Sequence, residues 1–181
     1  VINQDIGFEK SVQLILVNDG SPDESETICK KYKELYPNNI VYIKKENGGV
    51  SSARNEGMKH IEGKYMNFLD GDDKLNLNAL SKVEEFFEQV YDYTDIVSIP
   101  VYFFEAKQGE HILNYKYNKT RQINLLKEYK NIQLFVNSVF IKSEFKDEVK
   151  FNINMKYAED ADFVNKILLN LGTMGVVKET I

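Results

Sequence analysis

Apolar positions along the first hundred residues follow two alternating periods. Residues 12–18, "VQLILVN", form a short apolar run with no polar face after Gln13, which suits a buried parallel strand. Ile28, Tyr32, Leu35 and Tyr36 then recur at helical spacing. Ser21 is placed to cap that helix, with Pro22 at its first position and Asp23 and Glu24 at its positive end. Pro37-Asn38-Asn39 ends it, and residues 40–43, "IVYI", read as a second strand. Val50 to Ile61 reads as a serine-capped helix with Val50, Ala53, Gly57 and Ile61 on one side, broken at Gly63. Residues 64–69, "KYMNFL", form a third strand; Leu77, Leu80, Val83, Phe87 and Val90 make a further helical stripe; residues 95–104, "DIVSIPVYFF", form a fourth strand.

This order predicts an α/β fold: an open, mostly parallel sheet with helices on both faces. Ligands in such sheets bind beyond the carboxyl ends of the strands. Asp19-Gly20, Asn47-Gly48-Gly49 and Asp70 to Asp73 all fall at predicted strand ends, so they are expected to converge on one edge. The second half is less regular. Residues 99–115 suit a hairpin, 119–130 are polar, and "QLFVNSVFI" (133–141) fits helix or strand. Phe163, Val164, Ile167, Leu168 and Leu171 form a last helical stripe that starts near Glu159 and ends at Gly172.

Composition narrows the function classes. The 181 residues suit one domain, and 43% hydrophobic residues can supply a core. A net charge of −5 with scattered lysines argues against nucleic acid as a partner. The lone Cys29 excludes an intrachain disulfide and reads as a small buried helix residue. No run approaches the ~18 apolar residues of a membrane span, and no signal peptide is visible. A cytoplasmic location is therefore expected. His60 and His111 lack ligand-type neighbours and read as structural.

Four stretches carry candidate chemistry. In "NFLDGDDKL" (67–75), Asp70 and Asp72 follow an apolar strand and suit one divalent cation or cation-bound diphosphate. A turn is the alternative, with Asp73 or Asn76 capping the next helix. Without cation and nucleotide this segment is expected to be mobile, and an ordered conformation held by protein donors would count against the metal reading. Asp19 could accept from a base or ribose, or close an Asx-type turn with Gly20. Gly48 and Gly49 permit close approach of a ligand, and the helix after them favours anions. Arg54 could reach a base or phosphate, or form a surface salt bridge with Glu56 or Glu46. Glu159 and Asp160 open the last helix, as ordinary N-terminal charge or as a general base. Neither G-x-x-x-x-G-K-[ST] nor G-x-G-x-x-G occurs.

Taken together, "LVNDGSPDES", "KKENGGVSSARNEGMKH", "GKYMNFLDGDD" and "AEDADF" resemble the family-2 inverting glycosyltransferases of bacteria in order and spacing, most strongly over residues 14–75. The resemblance implies the A-type nucleotide-diphospho-sugar transferase fold and a divalent cation, Mn²⁺ or Mg²⁺. It assigns Asp19 to the nucleotide base and Arg54 to base or diphosphate. Asp72 becomes the main metal ligand, with Asp70 near ribose or metal, and Asp160 of the Glu159-Asp160 pair the catalytic base. Residues 1–98 would form the nucleotide-sugar half of a single catalytic domain, and 99–181 the acceptor half. The implied partners are the donor and a glycan or lipid-linked acceptor, in cell-surface polysaccharide or glycan synthesis. Family members begin with a strand and a P-x-Y-N-like turn. Val1-Ile2-Asn3-Gln4 resembles the tail of the helix that follows, so a fold truncated at its N-terminus is expected, with any peripheral membrane association supplied by the missing parts of a larger parent. Two other classes compete: a metal-dependent nucleotidyltransferase on a similar sheet, and a non-catalytic sugar-nucleotide-binding relative.

Overall fold

The computed structural model describes residues 1–104, 108–128, 130, 132, 134–169 and 173–178. In chain order the elements are α1 (Phe8–Ser11), β1 (Leu14–Asn18), α2 (Ser25–Leu35), β2 (Ile40–Lys44), α3 (Val50–Met58), β3 (Tyr65–Met66), α4 (Ala79–Val90), β4 (Ile96–Ser98), β5 (Tyr102–Phe103), β6 (Gly109–Glu110), β7 (Arg121–Asn124), α5 (Leu125–Glu128), β8 (Val139–Lys142), α6 (Glu159–Leu168) and β9 (Thr173–Val176). The expected α/β alternation is present through β4. Among the described residues no helix is long and apolar enough to cross a membrane.

β1 and β2 pair in parallel, from Leu14 opposite Ile40 to Asn18 opposite Lys44. The remaining sheet of five strands runs in the order β3-β8-β4-β9-β7. Only its β4–β9 pair is parallel; β3–β8, β4–β8 and β7–β9 are antiparallel. The open sheet is therefore mixed, not mostly parallel. β3 and β4 flank a helix, as parallel neighbours do, yet they do not pair, because β8 inserts between them. Parallel pairs need long crossovers, whereas a returning strand can enter antiparallel through irregular chain.

Helices do cover both faces of this sheet. Ile96 and Ile141 point into one cluster with Phe163, Val164 and Ile167 of α6. Val97 and Phe140, next to them in sequence, point into the other with Val83, Phe86 and Phe87 of α4. This is the two-residue alternation of a strand buried on both sides.

Several boundaries move for identifiable reasons. Asn18 Oδ1 accepts the Ser21 N–H at 2.8 Å and Asp23 Oδ1 the Ser25 N–H at 3.0 Å, so α2 starts at Ser25 and Ser21 does not cap it. Its stripe of Ile28, Tyr32 and Leu35 is exposed. Cys29 is half-buried, and burial pushes its thiol up. α3 is capped at Gly49 with no side-chain bond. The predicted third strand shortens to two residues; Asn67 Nδ2 continues the tie by donating to Val139 O at 2.8 Å. α4 starts at Ala79, after neither Asp73 nor Asn76 as cap, and Leu77 is exposed. The predicted fourth strand is interrupted around Pro100, which has no N–H for a ladder. Asn114 bridges that break, accepting from Val101 N–H at 3.2 Å and donating to Val101 O at 2.7 Å. β5 and β6 form the hairpin expected within 99–115. The ambiguous 133–141 run resolves into a tight 3-10 turn, Val136–Ser138, and β8. Leu171 and Gly172 lie outside the described residues.

Gly175 on β9 marks the tightest helix–sheet contact: a Cβ there would lie 2.3 Å from Phe86 Cε1 and 2.9 Å from Val97 Cγ2. Both neighbours are buried and cannot swing away. Gly175→Ala is expected to destabilise the fold by about 1–3 kcal/mol through overpacking, measured by urea unfolding; an unchanged midpoint would show the contact is loose.

Candidate active site

The turn after β1 is closed by Asn18, which leaves the Asp19 side chain free to reach across to the loop after β2. Its carboxylate accepts from Lys45 Nζ at 2.5 Å, from Gly48 N–H at 3.0 and 3.1 Å, and from Gly49 N–H at 2.8 Å. Burial alone would push this carboxyl up, but the bonds from Lys45, Gly48 and Gly49 and the Lys45 charge outweigh it and hold Asp19 below its usual value. One alternative does not form, and one contact was not foreseen. Asp19 makes no Asx turn with Gly20. The Gly48 and Gly49 amides at the start of α3 hold the protein's own carboxylate rather than standing open to a ligand's anion. Glycine is required here: Gly49 has φ 83°, and a Cβ on Gly48 would lie 2.7 Å from Ser52 Oγ.

One turn into α3, Arg54 joins the remaining candidates. Its Nη1 lies 2.5 Å from Asp160 Oδ1 and 3.5 Å from Glu159 Oε1, and its Nη2 3.0 Å from Asp70 Oδ1. The Arg54 side chain is 9% exposed, so these are partly desolvated, charge-assisted contacts. The surface pairing with Glu56 or Glu46 does not form; Glu56 pairs with Lys59 at 2.6 Å. Asp160 also accepts the Val136 N–H at 3.3 Å. Burial pushes the Asp160 carboxyl up and prevails over Arg54 and Val136, with the Glu159 charge adding to the rise. A raised carboxyl is the better proton acceptor.

The acidic turn divides its labour. Asp70 is held by Arg54, and Asp73 accepts from Asn137 Nδ2 at 2.7 Å. Both are thus held by protein donors, the outcome that counts against Asp70 as a free metal ligand. Asp72 is exposed and makes no hydrogen bond or ion pair among the described residues. Among those residues no three His, Cys, Asp or Glu side chains form a preformed metal cluster. The arrangement still fits a Mg²⁺- or Mn²⁺-type site of one or two carboxylates completed by ligand phosphates. Three carboxylates on one guanidinium also leave negative charge for a cation to offset.

Sequence reasoning missed the supports. Asn55 Nδ2 donates to Phe151 O and Asn55 Oδ1 accepts the Phe151 N–H, both at 2.9 Å. The Phe151 ring lies 5.2 Å from the Arg54 guanidinium and stacks on Phe163 of α6 at 3.9 Å. A mid-helix Asn is a poor helix former, and that was the available signal. Ala158, the residue before Glu159, has φ 60°, the only positive value at a non-glycine among the described residues. No sequence signal marks it, since Gly or Asn would be expected there. Lys45 had only its place in "KKENGG" to recommend it.

A family model, "Glycosyl transferase family 2", matches residues 1–147. The chain belongs to glycosyl transferase family 2. This family-2 glycosyltransferase chain is 50% identical over 179 residues to the minor teichoic acid biosynthesis protein GgaB of Bacillus subtilis (strain 168), matching 99% of this chain and 20% of that protein. It is 42% identical over 183 residues to GgaA of the same organism, matching 99% of this chain and 41% of that protein. The chain thus spans well under half the length of these relatives. The crystal structure of S. aureus TarS 1-349 in complex with UDP-GlcNAc superposes with a TM-score of 0.84 at 23% identity, over 98% of this chain and 50% of that one. The α/β fold is therefore the A-type glycosyltransferase fold, with its open sheet mixed.

Two outcomes test the supports. Asn55→Ala should cost about 1–3 kcal/mol in urea unfolding, because both Phe151 backbone groups lose their partner. Asn55→Asp, lacking the Nδ2 donor, should not restore wild-type stability. For Asp19, a carboxyl held low in the fold stabilises the folded state above its unfolded value and loses that contribution as pH falls through the folded one. The stability gap between wild type and Asp19→Asn should therefore be full at neutral pH and close at acid pH. A pH-independent gap would remove the ionised Asp19 from the account.

Proposed function

We propose that residues 1–181 form the catalytic domain of a glycosyltransferase that moves a sugar from a nucleotide-diphospho-sugar to an acceptor hydroxyl with inversion, in synthesis of a cell-surface polymer. The observation that carries this reading is the convergence of Asp70, Glu159 and Asp160 on Arg54. It sets a carboxylate with proton-acceptor character beside the acidic turn expected to face the diphosphate. TarS in complex with UDP-GlcNAc supports a uridine-diphosphate sugar as donor, and the GgaA and GgaB names support a wall-polymer context.

In this reading residues 1–98 border the nucleotide sugar and 99–181 the acceptor. Asp19 and the Gly48–Gly49 loop it holds frame the base side, and Arg54 links them to the reacting centre. Asp160 accepts the proton of the acceptor hydroxyl as its oxygen bonds to the anomeric carbon. The bond from that carbon to the diphosphate breaks, and the diphosphate leaves with the electron pair. Attack opposite the leaving group inverts the centre. Glu159 keeps Asp160 basic through its charge. Asp72, with Asp70, would hold the divalent cation, whose chemistry is to offset charge on the departing diphosphate. Binding both substrates in register supplies much of the remaining rate. The domain would act at the cytoplasmic face of the membrane, on a glycan or lipid-linked acceptor.

Calorimetry with UDP-GlcNAc, with and without Mn²⁺, tests the donor site. Mn²⁺ should tighten binding to the wild type, and Asp72→Asn should remove that increment. Equal wild-type affinity with and without Mn²⁺ would overturn the metal assignment. Asp160→Asn should keep donor binding and slow turnover by about 10²–10⁴-fold. The acid limb of the wild-type rate profile should lie above the ordinary aspartate value, since Asp160, raised by burial, must ionise.

A further inference from the structure

A cleft of about 470 Å³ opens beyond Asp160, a size typical of small-molecule sites. Glu159 and Asp160 line it together with Leu113, Ile132, Leu134 and Phe135. Among the described residues no Lys or Arg lines it. Phe135 is 43% exposed, unusual for a large aromatic that is held in place. His111 meets it edge-on, with ring centroids 5.3 Å apart at 80°, and His111 Nδ1 in turn accepts the Leu113 N–H at 3.2 Å. The next residue, Val136, donates its N–H to Asp160. Ring and carboxylate are therefore in fixed register, one residue apart along the chain.

We propose that this cleft is the acceptor subsite and that it takes an uncharged glycosyl residue, whose ring lies against Phe135 with its hydroxyl toward Asp160. The inference rests on the transferase reading above and adds the acceptor's chemical class. The negative face of an aromatic ring attracts the polarised C–H groups of a sugar ring. Arg54 offsets only part of the Glu159 and Asp160 charge, and among the described residues no Lys or Arg lines the cleft, so the remaining negative charge repels a phosphate at the same place. An acceptor ending in a polyol phosphate is thereby disfavoured.

Saturation-transfer NMR on the 181-residue chain tests this. The probes are methyl glycosides of glucose, galactose and their 2-acetamido forms, compared with sn-glycerol 3-phosphate. At least one glycoside should show ring-proton transfer that falls severalfold in Phe135→Ala, while glycerol 3-phosphate shows none. Phe135→Tyr should retain the signal, which separates loss of the ring face from general damage. The proposal is overturned if no glycoside gives transfer, if Phe135→Ala leaves it unchanged, or if glycerol 3-phosphate matches it. UDP binding by calorimetry on the same sample separates the two readings: UDP binding without glycoside transfer removes the subsite alone, whereas loss of UDP binding removes the donor reading beneath it.

Discussion

One guanidinium holds the candidate site together. Arg54 reaches Asp70 in the turn that follows β3 and Glu159 and Asp160 at the start of the last helix, across as many as 106 residues of sequence. A partly desolvated cation and several partly desolvated carboxylates are each unfavourable alone and acceptable together. Positioning of α3, the turn after β3 and α6 is therefore mutual. Any ligand that engages Asp70 also competes with Arg54 for it.

This arrangement needs a stiff base, which the adjoining residues provide. Asn55 clamps the Phe151 backbone, and Phe151 carries Arg54 on one side and Phe163 on the other. Phe163 belongs to the core beneath α6, continuous with the apolar side chains of β4 and β8. Sheet, aromatic stack and charge cluster thus form one connected column. At the other end of α3, Asp19 fastens the loop before the helix to the turn after β1. A single nine-residue helix consequently registers both the loops after β1 and β2 and the carboxylates.

Much of this was legible in the residues, and the divisions are instructive. The helical stripe of α4 and the alternation of apolar runs led to the right elements, because periodicity is a local property. Asp19, Arg54, Asp70 and Asp160 stood out because charged side chains at strand ends demand partners. The partners themselves were misread: Arg54 was weighed against Glu56 and Glu46, its sequence neighbours, whereas it pairs with residues from distant elements. Of Asp70 and Asp72, expected to ligate together, only Asp70 pairs with Arg54 among the described residues. The α2 stripe shows the same limit. Ile28, Tyr32 and Leu35 recur at the expected spacing yet remain exposed, because spacing specifies a face and says nothing of what meets it.

The sequence by itself determined the order of strands and helices in the first half, the family and a short set of candidate residues. Tertiary structure alone decided the strand order with β8 between β3 and β4, the mixed direction of the sheet, the capture of Asp19 by backbone amides, and the distribution of three carboxylates around one arginine. The physical reason is range. Backbone propensity and side-chain period act over a few residues, whereas strand insertion, burial and charge pairing are settled between segments that only folding brings into contact.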